Sequence, residues 1–318
     1  MREVAQSWHT KRWGVKPRGR RRLLNLRFAD DLLLVGASLH QAKSMLRDLI
    51  AKAREYGLEV HETKTKILWN GIGRGTPAQH AEMDGRTFEI LPAHGSSMYL
   101  GRLLSLCNTH GIEIKNRINK AWQKFAIYRK ELTDKYYSLK QRLKLFATVV
   151  QPTLLYGCGT WTMTRKRETL IRSVQRRMLR SIVGVRRLTS RDDAGNVVLE
   201  DWVAWVQRST HIAEVSRQQH RVAEWVEEIT RRKFRWAGHV ARRQDGRWTR
   251  EVLDWSLQGY RAQGRPSMRW TDSLNKFFYG GAASAAVGAQ TWVTQALNRS
   301  FWQQQEDSYV RHCMGRRR

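Results

Sequence analysis

Acidic residues are scarce in this sequence. Twenty-eight Asp and Glu face 58 Lys and Arg across 318 residues, a net charge of +30. Self-repulsion on that scale weakens a compact state standing alone, so the imbalance predicts an anionic partner. Cysteine is almost absent. Cys107, Cys158 and Cys313 lie too far apart in sequence for a local zinc knuckle. Their odd number argues against a secreted disulfide framework, so an intracellular protein, nuclear or cytoplasmic, is expected. Long apolar runs are missing too. No stretch approaches the ~18 residues a membrane span requires, and Leu32–Val35 is only strand-sized. No internal repeat is evident, which leaves solenoids and propellers without support.

What is present fits a folded chain with a nucleic-acid partner. Apolar residues make up 41% of the sequence, enough for a sizeable core in one or two domains. Basic side chains neutralise phosphates and flat rings stack on bases, so this composition suits nucleic acid better than a membrane. Ribosomal and chromatin proteins satisfy the same numbers.

Residues 1–22 are basic and without clear periodicity, and read as a connector. Two short strands then flank an acidic turn. Leu24, Leu26, Phe28 and Asp30 fall on one side by alternation, and Leu32–Val35 follow Asp31. Ser38 with Gln41 is a capping-box pattern ahead of a helix that Gly57 stops. Extended pieces are expected at Leu58–Val60, 67–69, Thr87–Leu91 and Met98–Leu104, with loops at Asn70-Gly71 and Gly73-Arg74-Gly75. Beyond about residue 110 the period becomes helical. Ile114, Ile118, Ala121, Phe125, Tyr128 and Leu132 form one stripe, and Ser138 with Gln141 caps a helix expected to end before Pro152. Leu170, Val174, Met178 and Ile182 stripe a third helix closed by Gly184; Trp202, Trp205, Ile212 and Val215 suggest a fourth. Trp225 and Ile229 extend it or begin another. The segment 231–250 holds eight Arg or Lys interleaved with Phe234, Trp236 and Trp248. Gly264-Arg265-Pro266 reads as a turn and Gly280-Gly281-Ala282-Ala283-Ser284 as a joint. A last amphipathic piece carries Trp292, Ala296, Leu297 and Trp302 before Arg316-Arg317-Arg318. The fold class expected is α+β: a partial palm of antiparallel hairpin, helix and short strands, then a mostly α-helical thumb and C-terminal region.

Asp30-Asp31 is the motif with the most chemical content. Each carboxylate on such a turn needs water, a partner or a cation. Hard oxygen donors suit Mg²⁺, and enzymes of phosphoryl transfer use carboxylates to hold divalent ions. The frame Phe28-Ala29-Asp30-Asp31 followed by Leu32-Leu33-Leu34 resembles motif C of reverse transcriptases. The capped helix 38–56, Gly57-Leu58-Glu59-Val60 and Lys64-Thr65-Lys66 are similar to motif D. Here His61 stands where that motif usually carries Asn. Tyr99-Leu100-Gly101 resembles the primer grip of motif E. The non-LTR (LINE-like) branch matches best. Leu143–Thr160, with Gln151-Pro152 and Leu155-Tyr156-Gly157, is similar to its thumb. Arg235-Trp236-Ala237-Gly238-His239-Val240 and Gly264-Arg265-Pro266 are similar to its basic C-terminal region.

The resemblance implies a division into a basic connector (1–22), a partial palm (23–106), a helical thumb (107–190) and a basic Trp-rich helical region (191–318). It implies that Asp30 and Asp31 bind catalytic Mg²⁺ or Mn²⁺ and that Lys64 approaches the triphosphate. Phe28, Tyr99, Leu100 and Gly101 would lie along the primer. Lys115, Lys120, Lys124, Lys140 and Lys144 are candidate phosphate contacts of the thumb. Arg231, Arg232, Lys233, Arg235, Arg242 and Arg243 are those of the basic region. RNA template and DNA primer are the implied partners. The family's polymerase needs a third carboxylate on an upstream strand, together with fingers and a motif B helix. Only Glu3 precedes the hairpin as an acid. The chain is therefore expected to be a C-terminal fragment that does not polymerise alone, with the missing N-terminal part of the polymerase as a further partner. The competing expectation is a non-catalytic RNA- or DNA-binding protein derived from the same element. A structural protein of chromatin or ribosome type fits the acidic hairpin less well. His239 reads as an ordinary structural histidine.

Overall fold

The structure, a computed structural model, describes residues 1–16, 21–70, 78–254, 268–280 and 292–315. The expected loops at Gly73-Arg74-Gly75 and Gly264-Arg265-Pro266, the joint residues 281–284 and the Arg316-Arg317-Arg318 terminus lie outside them. The fold is α+β with a mostly helical C-terminal region. Two compact units emerge among the described residues, one of 1–113 with 246–254 and one of 114–245 with 268–315.

The first unit opens with a helix rather than an aperiodic connector. Helix α1 (Arg2–Thr10) buries Val4 and Trp8, four residues apart on one face. Trp8 donates from Nε1 to Asp48 at 3.0 Å, and Glu3 pairs with Lys52 at 2.7 Å. The acidic hairpin follows as expected: β1 (Asn25–Phe28) runs antiparallel to β2 (Asp31–Leu34). Helix α2 (Leu39–Glu55) starts on Ser38, whose side chain accepts from Gln41 N–H. The reciprocal half of the capping box is redirected. Gln41 Oε1 accepts instead from Ala37 and Gly14 N–H, at 2.7 and 2.8 Å, tying the helix start to the segment before β1.

Leu58–Val60 does not form a strand; Leu58 is exposed and the chain turns through 62–64 before β3 (Lys66–Ile67). A three-stranded sheet is built in the order β3-β5-β4, with β4 (His80–Met83) antiparallel and β3 parallel to β5 (Arg86–Ile90). Asp84 and Gly85, both at positive φ, make the tight β4–β5 turn. Ala81, Met83, Phe88 and Ile90 from this sheet share one core with Met45, Leu46, Leu49 and Ile50 of α2. The expected extended piece Met98–Leu104 folds back on itself as β6 (Ser97–Tyr99) and β7 (Arg102–Leu104).

The second unit is helical. Helices α3 (Thr109–Ile127) and α4 (Arg129–Thr133) bury Ile114, Ile118, Ala121, Phe125 and Leu132 along the expected stripe, with a break at Tyr128. Helix α5 (Leu139–Leu145) carries a complete Ser138–Gln141 capping box. The helical path, however, does not stop before Pro152. A π-helical turn, Phe146–Val150, leads into α6 (Gln151–Leu155), where Pro152 occupies the first turn and its missing N–H costs nothing. Helix α7 (Arg165–Val183) ends on Gly184 in the left-handed region. Of the expected stripe, Met178 and Ile182 are buried and Val174 packs against the core, while Leu170 is exposed; Ile171, Gln175 and Leu179 complete the buried face. A small hairpin pairs β8 (Thr189–Arg191) with β9 (Val197–Leu199). Helix α8 (Trp202–Gln219) packs small residues, Ser209, Ala213 and Ser216, leaving Trp202 and Val215 outside. Trp225 begins a separate helix, α9 (Trp225–Ala241). Its Phe234 ring stacks on Trp302 at 4.1 Å and on Tyr309 at 4.8 Å. Trp292, Ala296 and Trp302 are buried as an amphipathic piece requires, while Leu297 is exposed.

Candidate functional site

The acidic turn is as short as a hairpin allows. Phe28 pairs with Asp31, so Ala29 and Asp30 alone form the loop. Of these two, Ala29 takes a positive φ of +51°. For a residue with a Cβ this costs on the order of 1 kcal/mol, strain of the kind that functional turns hold. Asp31 is the cross-strand partner of Phe28 and opens β2, and Asp30 stands at the tip. Leu32 and Leu34 pack on the unit's core and anchor the hairpin. Phe28 remains 64% exposed.

Among the described residues, neither the Asp30 nor the Asp31 side chain makes an ion pair or hydrogen bond, although Arg27 precedes them on the same hairpin. Of the unit's other carboxylates, Glu3, Asp48, Glu59, Glu62 and Glu89 meet a basic side chain, whereas the exposed Glu82 and Asp84 form no ion pair either. Tyr99 is brought within electrostatic reach of Asp31. Burial, reinforced by the negative charge of Asp31, pushes the Tyr99 phenol above its ordinary value. The β6–β7 turn that follows uses Leu100 and Gly101, both at positive φ. Glu113 fixes this second hairpin: fully buried, it accepts from Leu103 N–H at 2.7 Å and lies 3.7 Å from Arg102 Nε. Glu113 was not singled out by sequence, because an acid ten residues downstream of a turn leaves no local signal.

Lys64 is exposed on the turn before β3, and no hydrogen bond or ion pair joins it to Asp30 or Asp31. His61 bonds through Nδ1 with Thr63 Oγ1 at 3.2 Å, a local contact. Among the described residues no group of three or more His, Cys, Asp or Glu is placed to hold a metal ion.

The two basic surfaces expected in the second unit differ in kind. Around α9 the charges are already met. Arg231 pairs with Glu227, Glu306 and Asp307; Arg232 with Glu228; Arg235 with Glu306; Arg243 with Asp245. Arg242 donates to Ala296 O at 2.7 Å. Lys233, only 5% exposed, donates to Ser273 Oγ at 2.8 Å and lies over the Trp270 ring. His239 stacks on Trp236 and accepts from Arg243 Nε. By contrast Lys115, Lys140 and Lys144 are exposed, Lys120 and Lys124 are half-buried, and among the described residues none of the five forms an ion pair.

No helix among the described residues is long and apolar enough to cross a membrane. The three cysteines are free thiols, with Cys158 buried. No family model matches the chain, and no solved structure matches it significantly. It is 33% identical over 289 residues to F52C9.6 of Caenorhabditis elegans, a protein named as transposon-derived, covering 89% of this chain and 94% of that one. Identity at that level along nearly the whole of both sequences reflects common descent rather than shared composition, and the chain belongs to the same family as this transposon-derived protein.

Proposed function

We propose that the chain carries part of the polymerase of a non-LTR retroelement, an RNA-directed DNA polymerase, with Asp30 and Asp31 as one edge of its metal site. The observation that supports this most is the hairpin itself: two adjacent carboxylates without internal partners, on a strained two-residue turn, beside the Tyr99 hairpin. Their oxygens fit Mg²⁺ or Mn²⁺ in donor type. A bound ion would neutralise charge on transferring phosphates. Asp30, at the tip, is the principal ligand and Asp31 assists it. Phe28 and Tyr99 to Gly101 flank the primer end, and Lys64 faces the triphosphate. Lys115, Lys140 and Lys144 take phosphates of the RNA–DNA duplex, since their charges are not spent internally.

Two neighbouring carboxylates do not enclose two ions and a triphosphate. With no third acid grouped with them among the described residues, the chain alone is expected to give no templated product on a primed RNA template in Mg²⁺ or Mn²⁺. The positional test is a DNA primer ending in 5-iodouracil, annealed to RNA and irradiated in complex with the chain. Crosslinks at Phe28 or Tyr99 are expected; crosslinks confined to other residues contradict the assignment.

A second reading, a nucleic-acid-binding protein without catalysis, is favoured by the incomplete acid set and the unpaired lysines. It predicts that Asp30→Ala keeps full affinity for nucleic acid and that no divalent ion localises at the hairpin.

A further inference from the structure

The α4–α5 connection holds features that the polymerase reading leaves unused. Tyr136 is 89% exposed and Tyr137 40%, and their rings meet edge to face at 5.6 Å. Single exposed aromatics are ordinary, but these two are held on a fixed backbone. Tyr136 N–H donates to Asp134 Oδ1 at 2.9 Å, and Arg142 Nε donates to Tyr137 O at 3.1 Å. The Ser138 capping box then starts α5 immediately behind them.

Beside Tyr137 lies a cavity of about 210 Å³, lined also by Glu131, Gln141, Arg142 and Leu145. Glu131 Oε2 is buried there and has no hydrogen-bond partner among the described residues. Arg142, on the same cavity, donates instead from Nε to Tyr137 O and from Nη1 to Ile182 O. Among the described residues the Glu131 carboxylate has no hydrogen-bond or ion-pair partner, so its charge on the cavity wall favours a ligand that brings a donor. Lys135, Lys140 and Lys144 around this loop are exposed and form no ion pairs. On α5, Lys140 and Lys144 stand one turn apart, next to the cavity-lining Gln141 and Leu145.

We propose that this loop is a base-binding site for single-stranded nucleic acid. One base stacks on Tyr136. Its neighbour enters the cavity beside Tyr137 and donates an exocyclic amino N–H to the Glu131 carboxylate that lines it, while the three lysines contact phosphates. A carboxylate only accepts, so bases with an exocyclic amino group (cytosine, adenine and guanine) are favoured over uracil. Uracil places its single N–H between two carbonyl oxygens that the carboxylate repels. The proposal rests on the nucleic-acid partner inferred above but fails separately from it.

The test is fluorescence anisotropy of the full chain with labelled oligo(C), oligo(U) and an RNA–DNA duplex, each about 12 nucleotides long, a length that spans a typical single-strand site. The chain is expected to bind oligo(C) at least about fivefold tighter than oligo(U). Tyr136→Ala should weaken both single strands by about fivefold or more, a loss typical of one stacking contact, with duplex affinity unchanged and Tyr136→Trp restoring it. Glu131→Ala should abolish the preference for oligo(C). Equal affinity for the two homopolymers, or single-strand binding untouched by Tyr136→Ala while the duplex still binds, overturns the proposal and leaves the nucleic-acid reading intact. Failure of the unaltered chain to bind any of the three overturns both. Should Glu131→Ala not fold, the exposed Tyr136 pair of variants still decides.

Discussion

Gly238 shows how a residue can look like a binding motif and act in packing. A Cβ built there would meet Trp302 Cδ1 at 2.6 Å and Arg242 NH1 at 3.0 Å. The Trp302 ring lies against the α9 backbone, donating Nε1–H to Phe234 O at 3.0 Å. The Arg235–Val240 run thus owes its Gly to a close helix–ring approach. Gly238→Ala is expected to destabilise the second unit by about 1–3 kcal/mol, the usual cost of overpacking, read by urea unfolding; a change within error contradicts this contact. Sequence reading identified Asp30 and Asp31 because adjacent acids between apolar strands are locally visible. It missed the positive φ of Ala29, since alanine carries no turn signature, and it missed Glu113, whose role depends on a fold-back that only tertiary structure supplies.

At the scale of elements, capping and glycine signals were the most legible. Ser38 and Ser138 begin helices, and Gly184 ends one, where the sequence says they should. Asp84-Gly85 is a strong hairpin signal that was passed over, together with β4, because His80–Met83 lacks the β-branched and aromatic residues expected of a strand. The stripe of large side chains expected for α8 is not its buried face, which is made of Ser and Ala and allows close approach to α7; in α7 only Leu170 departs from the expected stripe. Nor does sequence disclose that α9 meets its own acids. Glu306 accepts two bonds from Arg235, both 2.7 Å, and one from Arg231 at 3.0 Å. Burial pushes the Glu306 carboxyl up, but the two arginines outweigh it and leave it below its ordinary value; Arg231 lowers Asp307 likewise. Carboxylates depressed in the folded state stabilise it fully above the unfolded value, near ~4.3 for Glu, and cease to do so as pH falls through the folded value. Glu306→Gln is expected to cost about 1–2 kcal/mol at neutral pH, and the variant should lose less further stability than the unaltered chain in melts carried below about pH 4. Parallel acid profiles for the two proteins would argue that Glu306 is not a stabilising partner of α9.

Over the whole molecule, a net charge of +30 announces an anionic partner but not which charges meet it. The ion pairs divide the candidates: the arginines of α9 are held by acids, whereas Lys115 and Lys120 of α3 and Lys140 and Lys144 of α5 form no ion pair among the described residues. Lys140→Ala with Lys144→Ala should therefore reduce the slope of log affinity against log salt by about 1.5, near the 0.7–0.9 released per phosphate contact. Arg232→Ala with Arg235→Ala should leave that slope unchanged and lower the melting temperature instead; the opposite pattern would reassign the binding surface. Family membership was not legible in composition, and it rests on identity along the chain; the polymerase reading leans most on the Asp30-Asp31 hairpin, with the Lys64 and Tyr99 segments in order behind it. A protein this basic repels divalent cations at long range, so an ion that settles at one turn reports a local site. The most direct measurement is Mn²⁺-induced broadening of backbone amide signals. The account predicts selective loss of the resonances of Ala29 to Leu32, abolished by Asp30→Asn with the fold retained. Uniform broadening, or a hairpin unaffected by Mn²⁺, would contradict it.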